Sequence, residues 1–127
     1  MARSQGRSRL KSTGGLYRYL RGKRKSELAG LPANSKLEAK TVKKPHRTLG
    51  GHYKQKILST NVINVSSGEK TTKTEILNVV QNPANPNLVR RNIFNKGAVV
   101  ETALGKVRIT SRPGQDGTVQ GILIGKA

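Results

Sequence analysis

The sequence contains no cysteine, no tryptophan, one phenylalanine and only six acidic residues. Without cysteine there are no disulfides and no thiolate chemistry. No apolar run approaches the roughly 20 residues that a membrane-spanning helix needs. The basic N-terminus is followed by no apolar segment, so a secretory signal is not expected. With so few large apolar residues the folded part should be small and of modest independent stability. These absences describe a soluble, intracellular protein.

The scarcity of acids also bears on catalysis. Glu27, Glu38, Glu69, Glu75 and Glu101 are scattered, and Asp116 is the sole aspartate, so paired carboxylates for acid–base work are missing. Asp116 sits in RPGQDG, where an aspartate is a turn former whose side chain bonds its own backbone. His46 and His52 are six apart on a basic loop and lack the four N/S ligands of a structural metal site. They read as contacts to phosphate or solvent. A Walker loop needs four residues between its glycines and Ser or Thr after the Lys. Here six separate Gly15 from Gly22, and Arg24 follows Lys23. Asn64-Val65-Ser66 is a chance match to a glycosylation acceptor, and residues 16–28 offer only Leu16, Leu20 and Leu28 to a membrane-surface helix. The expectation is no enzyme, no metal, no cofactor, no small-molecule substrate and no membrane partner.

What is present is positive charge. Against the six acids stand 25 Lys and Arg, for a formal net charge of +19. Such a balance favours anionic partners, nucleic acid first among them. It is also uneven: residues 1–56 carry 16 basic and 2 acidic residues, whereas residues 57–127 carry 9 and 4. The stretch KSTGGLYRYLRGKRK at Lys11–Lys25 holds no acid at all. Its glycines interrupt any helix, and the segment has too few apolar residues to offset its own ordering entropy without a partner. Arg supplies a planar fork for phosphate. Tyr17 and Tyr19 flank Arg18 and are suited to stacking on unpaired bases. With no helix-turn-helix, zinc-finger or basic-zipper pattern, structured RNA suits an irregular arm better than duplex DNA.

From Ile57 the pattern turns to β. KILSTNVINV, KTTKTEILNVV, AVVET, KVRITS and TVQGILI read as five short strands, separated by SSGE, QNPANPN, ALG and RPGQDG. The fold class is mainly β, a small antiparallel β-barrel-like domain over residues 51–127, preceded by a basic, largely irregular arm over residues 1–50. Pro32, Pro45 and Gly50-Gly51 read as breaks within that arm. The RNA-binding candidates on the arm are Arg3, Arg7, Arg9, Lys11, Tyr17, Arg18, Tyr19, Arg21, Lys23, Arg24 and Lys25. A second cluster is Lys43, Lys44, Arg47, Lys54 and Lys56. On the core, Arg90, Arg91 and Arg112 fall in loops, where binding residues concentrate. Gly97, Gly105, Gly114 and Gly117 are read as turn formers.

Several of these stretches resemble a known family. KSTGG at Lys11–Gly15 and RGKRKSEL at Arg21–Leu28 are followed by NPANPNLVRRN at Asn82–Asn92, KGA at Lys96–Ala98 and LGKVRITSRPGQDG at Leu104–Gly117. In order and spacing they resemble the archaeal and eukaryotic small-subunit ribosomal protein family S-eight-e along nearly the whole chain. The compact length is similar to the archaeal form. One departure is ELAG at Glu27–Gly30, where the family pattern leads one to expect a Gly-Arg pair after Leu28. The resemblance implies a non-catalytic structural protein of the cytoplasmic ribosome. It also implies small-subunit ribosomal RNA and neighbouring ribosomal proteins as partners, a small barrel-like domain, and an arm threaded into the RNA. The same domain also resembles part of a eukaryotic large-subunit assembly factor, which is longer at its N-terminus. A DNA-packaging protein would share the charge.

Overall fold

The computed structural model describes residues 6–18 and 21–126. The chain forms two compact units, Met1–Pro32 and Ala33–Ala127. In the first unit the residues around the STGG tip make a tight hairpin. Lys11 N donates to Gly15 O at 2.9 Å, Tyr17 N to Arg9 O at 2.8 Å, and Leu10 bridges Leu16 antiparallel. Gly14 turns the tip with φ +82°, a conformation that costs glycine nothing. A short 3-10 turn follows at Lys25–Glu27.

The second unit is mainly β. Its strands are β1 (Val42–Arg47), β2 (Tyr53–Ser59), β3 (Val62–Ser67), β4 (Lys70–Gln81), β5 (Val99–Thr102), β6 (Gly105–Ile109) and β7 (Gln120–Lys126). Strands β3 to β7 close a barrel, and β1 pairs with β2 as a separate ribbon. Successive barrel strands are antiparallel, while β7 closes on β3 in parallel. An odd number of strands in a meander leaves the first and last pointing the same way, so one parallel pair is unavoidable.

The local chemistry of the hairpins is direct. Ser67 opposes Lys70 across the two-residue turn Gly68-Glu69, with Gly68 at φ +65°. Thr102 opposes Gly105, so the expected ALG loop spans only Ala103 and Leu104, and Thr102 Oγ1 donates to Gly105 O at 2.9 Å. In the QNPANPN loop Asn82 Oδ1 accepts from Ala84 N and Asn85 Oδ1 from Asn87 N. Pro83 and Pro86 each follow an asparagine that closes a side-chain turn, and a 3-10 turn runs from Pro86 to Arg91. Asp116 behaves as expected of a turn former: its carboxylate accepts from Arg112 N at 2.8 Å and caps the one-turn helix α1 (Pro113–Asp116).

Alternation fills the barrel. Ile63 and Val65 of β3, Ile76 and Val79 of β4, Val100 of β5, and Val107 and Ile109 of β6 are buried together with Val119. Phe94, the chain's one phenylalanine, is fully buried among them, and β2 contributes Ile57. The strand expected over residues 56–65 is two. Thr60 Oγ1 accepts from Val62 N at 3.1 Å and turns the chain between β2 and β3.

Residues 33–50, expected as irregular arm, carry structure within the second unit. The segment Ser35–Leu37 lies extended between β2 and residues 92–94: Lys36 N donates to Leu58 O, Thr60 N to Lys36 O, Leu37 N to Asn92 O and Phe94 N to Ser35 O. Ser35 is buried and its hydroxyl donates to Ile57 O at 2.7 Å. Pro45 does not break the chain. It stands opposite Gln55 inside β1, whose residues are all exposed, and the edge of a two-stranded ribbon tolerates a residue without an N–H.

Gly121 of β7 is closely enclosed by β6. A Cβ there would lie 2.4 Å from Val107 Cγ1 and 2.9 Å from Arg108 O. Gly121→Ala should therefore lower the stability of the free protein by about 3 kcal/mol, the upper range for overpacking, as read from the midpoint of urea denaturation. An unchanged midpoint would show that the barrel wall yields at this place.

Candidate nucleic-acid interface

In the first unit Arg7, Arg9, Lys11, Tyr17, Arg18, Arg21, Lys23, Arg24 and Lys25 are all exposed. Arg3 and Tyr19 lie outside the described residues. The hairpin brings three of the candidates together. The Arg7 guanidinium lies 4.1 Å from the Tyr17 ring centroid and the Lys11 ammonium 5.3 Å, both within cation–π range. The tyrosine thus gathers two cations around one ring, a role beyond the base stacking expected for it. Arg21 is also engaged: its guanidinium pairs with the Glu27 carboxylate, which accepts from Arg24 N as well. Glu27, the first residue of the ELAG departure, thus ties Arg21 to the backbone of Arg24 within the basic segment.

In the second unit the ladder of β1 and β2 sorts the remaining cluster by face. Lys44 opposes Lys56 and His46 opposes Lys54. Because side chains alternate along a strand, these four share one face. Lys43, Pro45 and Arg47 share the other with Ile57, Gln55 and Tyr53. The second face turns toward the body of the unit: Ile57 is buried in the core, and Gln55 bridges Asp116 and packs against Gly117. On the first face Lys44, His46 and Lys54 are exposed and Lys56 is half-buried.

Like charges directly opposed on a ladder are destabilising. On this face Lys44 stands directly against Lys56, and His46 against Lys54. Sequence reading placed Lys43, Lys44, Arg47, Lys54 and Lys56 in one undivided cluster. It also missed that His46 belongs with the lysines. The signal was there in the spacing of Lys44 and His46 and of Lys54 and Lys56, each two apart, but it was masked by Pro45.

The loop candidates are exposed and apart from this face in the chain. Arg90 and Arg91 occupy the last turn of the 3-10 segment after the prolines, and Arg112 is the N-terminal flank of α1. Among the described residues no three His, Asp or Glu gather to hold a metal ion, and no helix is long and apolar enough to cross a membrane.

Residues 4–124 match the family of ribosomal protein S8e. The chain belongs to this family. Among its relatives, a small ribosomal subunit protein eS8 from Methanobrevibacter smithii is 46% identical over 126 residues, covering 98% of this chain and all of that protein. Proteins of the same name from Methanococcus aeolicus and Methanococcoides burtonii are 47% and 48% identical over 122 residues, covering 94% of this chain and 95% and 97% of theirs. The match includes both the hairpin unit and the barrel unit. The family resemblance seen in the short motifs therefore holds along the chain, and the archaeal character of the compact form holds with it.

The opposed charges make a measurable expectation. Lys44→Gln should raise the stability of the free protein by about 0.2–1 kcal/mol by removing a cross-strand repulsion. The gain should shrink at molar salt, where screening already weakens that repulsion. Denaturation at low and high salt reads both. A loss of stability at low salt would mean that the lysines are not in net repulsion.

Proposed function

We propose that this chain is a non-catalytic structural constituent of the small ribosomal subunit in the cytoplasm, holding folded ribosomal RNA by neutralising its phosphates. The observation that carries the reading is the β1–β2 face of Lys44, His46, Lys54 and Lys56, in a chain matched to the S8e family almost throughout. The ribbon contributes a fixed array of cations at strand spacing. The exposed Arg and Lys of the hairpin unit contribute a second array, with the Tyr17 ring holding Arg7 and Lys11 close together. Arg90, Arg91 and Arg112 add guanidiniums on loops of the barrel unit, where a rigid scaffold sets their positions. Neighbouring ribosomal proteins are the expected protein partners.

Gradient sedimentation of lysate tests the assignment. The protein should travel with mature small subunits and whole ribosomes and survive a moderate salt wash. Confinement to precursor particles would favour an assembly factor, and absence from ribosomal fractions would overturn the reading. The physical mechanism has its own test in filter binding to small-subunit ribosomal RNA. About eight phosphate contacts give a slope of roughly −6 to −7 for log affinity against log salt. A slope shallower than about −2 would remove the phosphate clamp.

A further inference from the structure

Where the ribbon meets the barrel there is a cleft of about 310 Å³. It lies on the inner face of the ribbon, away from Lys44, His46, Lys54 and Lys56. Its floor is apolar, formed by Ile57, Val62 and Val119. Two lysines also line it, Lys43 of β1 and Lys73 of β4. Asn64, directly across the ladder from Lys73, and Thr118 supply polar edges. Thr41 and Thr60 join their hydroxyls at 2.9 Å within the lining and hold the residues before β1 against the start of the barrel. Gly117, also in the lining, has φ +69° and lets β2 pack closely, since a Cβ there would meet the Gln55 side chain at 2.8 Å.

The chemistry of this lining is specific in kind. An apolar floor suits the face of a planar base, an amide and a hydroxyl suit the donors and acceptors on its edge, and paired lysines suit its phosphate. The volume is at the lower end of small-ligand pockets, appropriate to one nucleotide rather than a helix. Single-stranded RNA is read by splaying out individual bases and bonding their edges. We propose that the cleft takes one unstacked nucleotide of the bound RNA, with Lys43 and Lys73 on its phosphate and Asn64 and Thr118 on the base edge. This rests on the RNA-binding function proposed above and adds to it a site that discriminates nucleotides, beside a ribbon face that only neutralises charge.

The test is amide NMR of the full chain, titrated to millimolar concentrations with each of the four ribonucleoside 5′-monophosphates and, separately, with inorganic phosphate. Saturable shifts confined to Asn64, Lys73 and Gly117–Val119 are expected, larger for one nucleotide and, with phosphate, weaker and missing at Asn64 and Thr118. Lys73→Ala should weaken the binding about tenfold, the scale of one charged hydrogen bond. Thr118→Phe, at an exposed position, should abolish it by filling the cleft while leaving the remaining spectrum folded. Equal shifts with phosphate alone would reduce the cleft to an anion site and overturn the proposal, as would shifts only on the outer ribbon face or none at all. The same preparation is tested for co-sedimentation with small subunits. Co-sedimentation with an unresponsive cleft overturns the nucleotide site alone, and failure of both overturns the RNA-binding reading.

Discussion

Lysines set directly across a β-ladder push their strands apart, and an isolated two-stranded ribbon is marginal in water even without that burden. The ribbon of β1 and β2 persists because its inner edge is hydrogen-bonded into the rest of the unit. Ser35–Leu37 joins β2 on one side and residues 92–94 on the other through main-chain hydrogen bonds, and the buried Ser35 hydroxyl closes on Ile57 O. Ile57 then anchors β2 in the same apolar cluster that holds Phe94. The repulsion on the outer face is thus held by burial and hydrogen bonds on the inner one. This asymmetry lets a small core carry a dense cationic surface in a defined geometry.

The two units handle charge by different means. In the hairpin unit the devices are local: a tyrosine ring beside two cations and a glutamate that pairs with Arg21. In the barrel unit the device is the sheet, which spaces cations by its pleat. Local devices let side chains adjust to an irregular polyanion, whereas a pleated array presents a fixed spacing. The chain thus carries cations in both an adaptable and a fixed arrangement.

Much of the barrel was legible in the residues. Val and Ile marked β4 to β7, and β3 within one longer expected strand, while SSGE, QNPANPN and RPGQDG fell at turns because Gly, Asn and Asp bond or turn the backbone there. The ribbon was not legible, for a physical reason. VKKPHR has no apolar alternation, since every one of its residues is exposed, and Pro45 reads as a break unless the strand is known to be an edge. Nor did the chain show that Ser35 would be buried, because a serine among polar residues gives no sign of the carbonyl it will meet. Gly121 looked like any glycine in a strand; only the approach of Val107 makes it obligatory. The basic candidates were legible as a set, and their division into two ribbon faces came with the register.

The parallel pairing of β3 with β7 sets an order of events during synthesis. One edge of β3 has no partner until β4, β5 and β6 have been made and β7 follows them. The hairpin unit, closed by short-range pairings such as Tyr17 N to Arg9 O, precedes every barrel strand in the chain. Chains fold as they emerge, N-terminal parts first, and pairings distant in sequence form late because their loops must close before they gain anything. A nascent chain therefore presents its Arg and Lys hairpin while the barrel is still an open sheet.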